Sequence, residues 1–172
     1  MTDIHTKLFG IIGWKNAGKT TLVVRLVEYF TARGLKVATV KHAHHDFDID
    51  HPGKDSYLHR QAGAAQVIIA SDRRIAMLRE NREPTPPTLE DLLRWVEPCD
   101  LVLVEGFKRH PHPKLEVIRG APKDEPVALT DPSVKAIATD KARDIGTQRA
   151  FDIEDIEAIA SFILQETGLA VR

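Results

Sequence analysis

Gly13, Gly18, Lys19 and Thr20 stand in an ungapped run, Gly-Trp-Lys-Asn-Ala-Gly-Lys-Thr, whose order suits phosphate chemistry. The two glycines let the backbone curl and bring its N–H groups close to phosphate oxygens. Trp14, Lys15, Asn16 and Ala17 form the body of that loop. Lys19 supplies a mobile ammonium for β- and γ-phosphates, and the Thr20 hydroxyl can ligate Mg²⁺. From Thr21 onward the chain reads as a helix, whose N-terminal dipole and unpaired N–H groups face the same anion. The ligand expected from this stretch is a nucleoside triphosphate.

Further acids could complete such a site. Glu105 ends the apolar run DLVLVE, where a protein of this type keeps the group that orients Mg²⁺ or its waters. Glu105 is therefore expected at the metal beside Thr20, and its Gly106 would let the backbone approach the γ-phosphate. Asp100, at the other end of the run, reads as a turn residue. The stretch HAHHDFDIDHP, residues 42–52, is dense in histidine and aspartate. Its spacing fits no standard structural zinc pattern, and thiolates are missing. It reads either as a mobile loop meeting the Mg·nucleotide through one Asp or as a solvated polar loop. Asp46 is the expected water-orienting acid, with Phe47 as the packing anchor beside it. The usual Asn-Lys-x-Asp guanine reader is absent. Asp140, after Ala138-Thr139, is its best stand-in: it could accept from the guanine N1–H and N2–H₂ edge, or it simply ends a strand in a turn.

The elements that must position these groups follow from periodicity. Leu8 to Ile12 reads as a strand before the loop, and residues 21–33 as a core-facing helix ended by Gly34. Lys36–Lys41 is a second strand, so strand–helix–strand predicts a parallel pair with a right-handed crossover. A short helix is expected to end near Gly63. Residues 65–70 read as a buried strand, forming a hairpin with Ile75–Leu78 across Asp72-Arg73. The run NREPTPP is a connector, after which Thr88 can cap a helix with Asp91 at its third position. Strands are expected at 100–105 and 115–119, with two more at Val127–Leu129 and Val134–Thr139. Ile153 to Leu164 is the closing helix.

Composition narrows the class. The 172 residues suit one domain, 1–172, with a core of its own. A net charge of -1 lacks the basic footprint of a nucleic-acid binder. The single cysteine, Cys99, cannot form an internal disulfide, which fits a reducing cytoplasm, and it reads as a small buried residue. Neither a signal-peptide core nor a membrane-spanning apolar run is visible, so no membrane partner is expected.

Three stretches together, GWKNAGKTTL, VKHAHHDFDIDHPGKDSYLHRQAGA and DLVLVEGFK, resemble the MobB family of molybdopterin-guanine dinucleotide biosynthesis adapters. The middle stretch is the diagnostic one, because phosphate loops at large do not share it. The resemblance spans about Lys7 to Gly168. It implies an α/β, P-loop NTPase-like three-layer sandwich: a mostly parallel central sheet flanked by helices, with an added β-hairpin. It also implies GTP binding, weak GTPase activity, a homodimer, and a supporting role when GMP is attached to molybdopterin. The implied partner is the molybdopterin guanylyltransferase. A wider group of dimeric P-loop ATPases carries a lysine directly after the first loop glycine; here that position is Trp14. Two other readings stand beside this one: a P-loop small-molecule kinase, and an adapter that binds nucleotide without hydrolysing it.

Overall fold

The computed structural model describes residues 6–43, 47–82, 85–120, 125–141 and 149–170. The chain divides into two compact units, Met1–His42 with Leu92–Arg172, and Ala43–Asp91.

The first unit is built on a six-stranded sheet in the order β2-β5-β1-β6-β7-β8. Its strands are β1 (Lys7–Gly13), β2 (Val37–Lys41), β5 (Leu101–Glu105), β6 (Lys114–Ile118), β7 (Val134–Thr139) and β8 (Arg149–Asp152). Every pairing in it is parallel, so all strands deliver their carboxyl ends to one edge. β1 and β5 are near-continuous apolar runs, as strands covered on both faces must be. Leu101, Val102, Leu103 and Val104 are at most 1% exposed, and each such side chain contributes roughly 1.5–3 kcal/mol by leaving water.

Helices α1 (Lys19–Thr31) and α4 (Ile156–Thr167) bury their apolar stripes in one cluster with Phe9, Ile11, Leu103, Leu115 and Val117. Ile12, Ile118, Val134 and Ile137 form a second cluster with Ala128. Alternate residues of β1 and β6 thus serve opposite faces of the sheet, as the period of two requires.

Several elements differ from what the sequence leads one to expect. Val127–Leu129 is a 3-10 turn, not a strand. The buried carboxylate of Glu116 accepts from the Ala128 N–H at 2.8 Å and holds this turn. Burial raises the pKa of Glu116, against the pull of that backbone N–H. β8 was not anticipated, since its four residues carry one apolar side chain with a core role, Phe151. α4 starts at Ile156 instead of Ile153, because Asp155 caps it by accepting from the Ala158 N–H at 3.0 Å. Cys99 is half-buried, and burial pushes its thiol pKa up, which suits a packing residue better than a nucleophile.

The second unit holds α2 (Asp55–Gln61) and the antiparallel hairpin of β3 (Gln66–Ser71) with β4 (Arg74–Arg79). The hairpin is as expected, but β3 is not a buried strand. Ile68 is 63% exposed and Ile75 74%. Two strands alone offer too little surface to cover both their faces. Arg60 gathers three of the unit's acids, donating to Asp48 at 2.9 Å, Asp50 at 3.3 Å and Glu80 at 2.6 Å. The expected cap at the start of α3 (Leu89–Leu93) is present and reciprocal: Thr88 Oγ1 accepts from the Asp91 N–H, and Asp91 Oδ2 accepts from the Thr88 N–H. No described helix is long and apolar enough to cross a membrane.

Candidate functional site

β1 ends at Gly13, and from there the backbone turns through residues that few side chains tolerate. Gly13 has φ 147°, Asn16 φ 62° and Gly18 φ 98°. A β-carbon on Gly13 would lie 2.5 Å from the Val117 carbonyl oxygen of the neighbouring strand. Only glycine fits there. The Ala17 N–H donates to the Trp14 carbonyl at 3.2 Å and closes the loop. α1 follows directly, two residues earlier than its expected start at residue 21. Gly18 caps it without a side chain, and its first turn holds no acid. No carboxylate of the turn itself therefore competes for its N-terminal N–H groups, which suits an anion site.

The Lys19 side chain folds back along this loop, and its ammonium donates to the Trp14 carbonyl at 2.8 Å. Desolvation lowers its pKa, Glu105 works in the opposite direction, and Lys108 and Lys41 add to the lowering. Three cations thus share one neighbourhood. A polyanion placed among them relieves their mutual repulsion.

Thr20 donates its hydroxyl to both carboxylate oxygens of Glu105, at 3.0 and 3.2 Å. The two residues expected at a metal are therefore in direct contact. Hard oxygen donors of this kind suit Mg²⁺, which takes few protein ligands and keeps waters and phosphates for the rest. Glu105 is 9% exposed, so its charge acts at short range in a poorly screened setting. Among the described residues no group of three or more His, Cys, Asp and Glu side chains is placed to hold a metal.

Lys41 was not foreseen as a site residue. It ends β2, in register with Glu105, and its ammonium lies 3.2 Å from Glu105 Oε1 and 3.4 Å from Thr20 Oγ1. Lys108 was also missed. Its ammonium sits 3.6 Å over the Trp14 ring, a cation–π contact that keeps a second charge beside the loop. The sequence signal for both is the same: each lysine stands at or just past the carboxyl end of a strand.

Gly106 has a structural role besides the one expected of it. Its N–H donates to the Ile11 carbonyl at 3.1 Å. With φ 101°, it leaves space for His42, whose Cβ would be 2.9 Å from a β-carbon on this residue. Asp100 is a turn acid, as expected, and accepts from the Lys36 N–H at 2.7 Å. Asp140 follows β7, is exposed, and accepts from the Gly120 N–H with both carboxylate oxygens, at 3.2 and 3.3 Å. Asp46 lies outside the described residues. Trp14, Lys15, Asn16 and Thr21 are exposed around the loop, while Ala17 is buried beneath it.

A parallel sheet with strand, glycine loop and helix at its carboxyl edge, and a strand-end acid on the loop's threonine, defines a P-loop protein. The family model described as molybdopterin guanine dinucleotide synthesis protein B matches residues 8–140. The chain belongs to this family, MobB. It is 38% identical over 161 residues to a molybdopterin-guanine dinucleotide biosynthesis adapter protein of Escherichia coli, covering 92% of this chain and 91% of the relative. A Haemophilus influenzae protein of the same description is 39% identical, with 91% and 86% covered. A crystal structure of Bacillus subtilis MobB superposes with a TM-score of 0.75 at 25% identity, covering 94% of this chain and 98% of that one.

Proposed function

We propose that this chain is a GTP-binding accessory protein of molybdenum cofactor biosynthesis that assists attachment of GMP to molybdopterin. The observation that carries the nucleotide reading is the Lys19 ammonium resting on a loop carbonyl beside the Thr20–Glu105–Lys41 cluster. The pathway is supported by the family match and by the printed descriptions of the relatives.

In this reading Lys19 exchanges the Trp14 carbonyl for β- and γ-phosphate oxygens. Thr20 would hold Mg²⁺ directly, and Glu105 would hold its water shell. When bound, the metal neutralises charge on the terminal phosphates. Glu105 would then exchange its present contact with the Thr20 hydroxyl for those waters. Lys41 balances the Glu105 charge. Asp46 is assigned to orient the attacking water.

The expected turnover is slow and needs a single-turnover assay. Glu105→Gln and Asp46→Asn should each keep GTP affinity within a few-fold yet lower the hydrolysis rate by ~10-fold or more, because orientation and charge act mainly in the transition state. Equal hydrolysis by wild type and Asp46→Asn would remove the acidic loop from the mechanism. Absence of turnover in wild type with intact binding would leave a non-hydrolysing adapter. Turnover dependent on an added acceptor would point to a kinase.

The partners in this reading are the guanylyltransferase that transfers GMP and a second copy of the chain. The homodimer is supported by the hairpin, where Ile68, Ile69, Ile75 and Met77 are each at least 44% exposed. Apolar side chains concentrated on a two-stranded element mark a contact surface. Sedimentation at about tens of micromolar should give a dimer, since stable interfaces survive at that concentration. A monomer there, with the chain folded, counts against it.

A further inference from the structure

Arg119 and Asp140 emerge side by side from adjacent strands. β6 and β7 pair in parallel with Ile118 opposite Thr139, and the next residue of each is Arg119 and Asp140. Both lie at the carboxyl edge that carries the phosphate loop. Asp140 is oriented by the Gly120 N–H, which both its carboxylate oxygens share at 3.2 and 3.3 Å. One N–H uses a fraction of what a carboxylate can accept. Arg119 reaches back toward the loop: its Cζ and Nη1 are 3.9 Å from the place a β-carbon on Gly18 would occupy. Its ion pair with Glu154 is long, 3.7 Å, whereas Arg25 holds the same Glu154 at 2.6 Å. A half-exposed pair of that length restrains Arg119 weakly.

The rest of the site sets the direction of a bound nucleotide. Thr20, Glu105 and Lys41 mark the metal and the terminal phosphates. Glu105 and Lys41 belong to β5 and β2, on one side of β1; β6 and β7 lie on the other. A nucleotide with its terminal phosphates at Thr20 and Glu105 therefore carries its base over the ends of β6 and β7.

We propose that Arg119 and Asp140 read the base and select guanine over adenine. Asp140 accepts from N1–H and N2–H₂, and Arg119 donates to O6 and N7. Adenine offers Asp140 a lone pair at N1 and offers Arg119 an amino group at position 6. The Asp140 contacts and the Arg119 contact at position 6 are lost, only N7 still accepts, and like polarity faces like polarity at N1 and at position 6. The inference rests on the nucleotide reading given above, and extends it from the phosphates to the base.

The test is calorimetric titration of the full chain with Mg²⁺ and GTP, ATP or xanthosine triphosphate. Wild type should prefer GTP over ATP by about tenfold to a hundredfold, the discrimination a well-placed bidentate contact supplies. Asp140→Asn should lose GTP by about tenfold or more and gain xanthosine triphosphate, because the asparagine amide donates to the carbonyl at C2 of xanthine. A misfolded protein cannot exchange one base for another in this way. Arg119→Ala should weaken GTP more than ATP. Equal losses would make Arg119 a phosphate contact and remove it from base reading. GTP binding unchanged in Asp140→Asn, with no gain for xanthosine triphosphate, overturns the inference and leaves the phosphate site standing. Failure of wild type to bind any of the three overturns the nucleotide reading and this inference with it.

Discussion

Lys19→Ala is expected to weaken GTP binding by at least tenfold, about 1.4 kcal/mol, in calorimetry with Mg²⁺ present. The ammonium already occupies the loop, on the Trp14 carbonyl at 2.8 Å, so little rearrangement precedes its contact with phosphate. Hydrogen bonds to charged groups contribute about 1.5–3 kcal/mol each, the strongest class in proteins. Desolvation and the neighbouring Lys108 and Lys41 lower the Lys19 pKa, and phosphate beside it would oppose that lowering. The two other lysines remain in the variant and keep part of the field, which is why the loss is not complete. Unchanged affinity would show that the phosphates bind elsewhere.

Gly13→Ala should cost about 2–6 kcal/mol of stability, since a strained backbone position and an overpacked contact each cost about 1–3 kcal/mol. Both penalties arise at one residue. Its φ of 147° is one that side chains rarely adopt, and the added carbon would meet the Val117 carbonyl at 2.5 Å. That oxygen belongs to the backbone of β6, which is paired with β1 on one side and β7 on the other. Neither strand can yield without disturbing a ladder. Gly34→Ala is the control, because Gly34 shares a positive φ, 81°, with nothing within 4 Å of its missing β-carbon. Urea unfolding should show a much larger drop in midpoint for Gly13→Ala than for Gly34→Ala, with the slope unchanged. Similar midpoints in the two variants would mean that β6 gives way and the close approach carries no cost.

Where the sequence was read correctly, the determining contacts are close along the chain. The phosphate loop is one continuous run, so its glycines, Lys19 and the start of α1 follow from local backbone needs. The Thr88–Asp91 cap spans one helical turn. β5 is legible because four consecutive apolar residues fit a strand buried on both faces. The errors fall where local patterning is weak. Val127–Leu129 is apolar enough for a strand, yet Glu116, remote from it in sequence, holds it as a turn. β3 is apolar enough for a core strand, yet it has only β4 to pair with and stays exposed.

The sequence by itself determined the phosphate loop, the strand-end acid and the family, because each resides in short continuous runs that are recognised without knowing how they meet in space. The tertiary structure decided which charges meet. Thr20 and Glu105 are 85 residues apart and touch. Lys41 joins them only because β2 lies against β5, in the register that sets Lys41 opposite Glu105. Arg119 and Asp140 become neighbours only because β6 lies against β7. Strand order and register are set by the total apolar surface that the sheet and its helices bury together. No short segment contains that sum, so the side chains brought to one edge could be known only once the sheet was assembled.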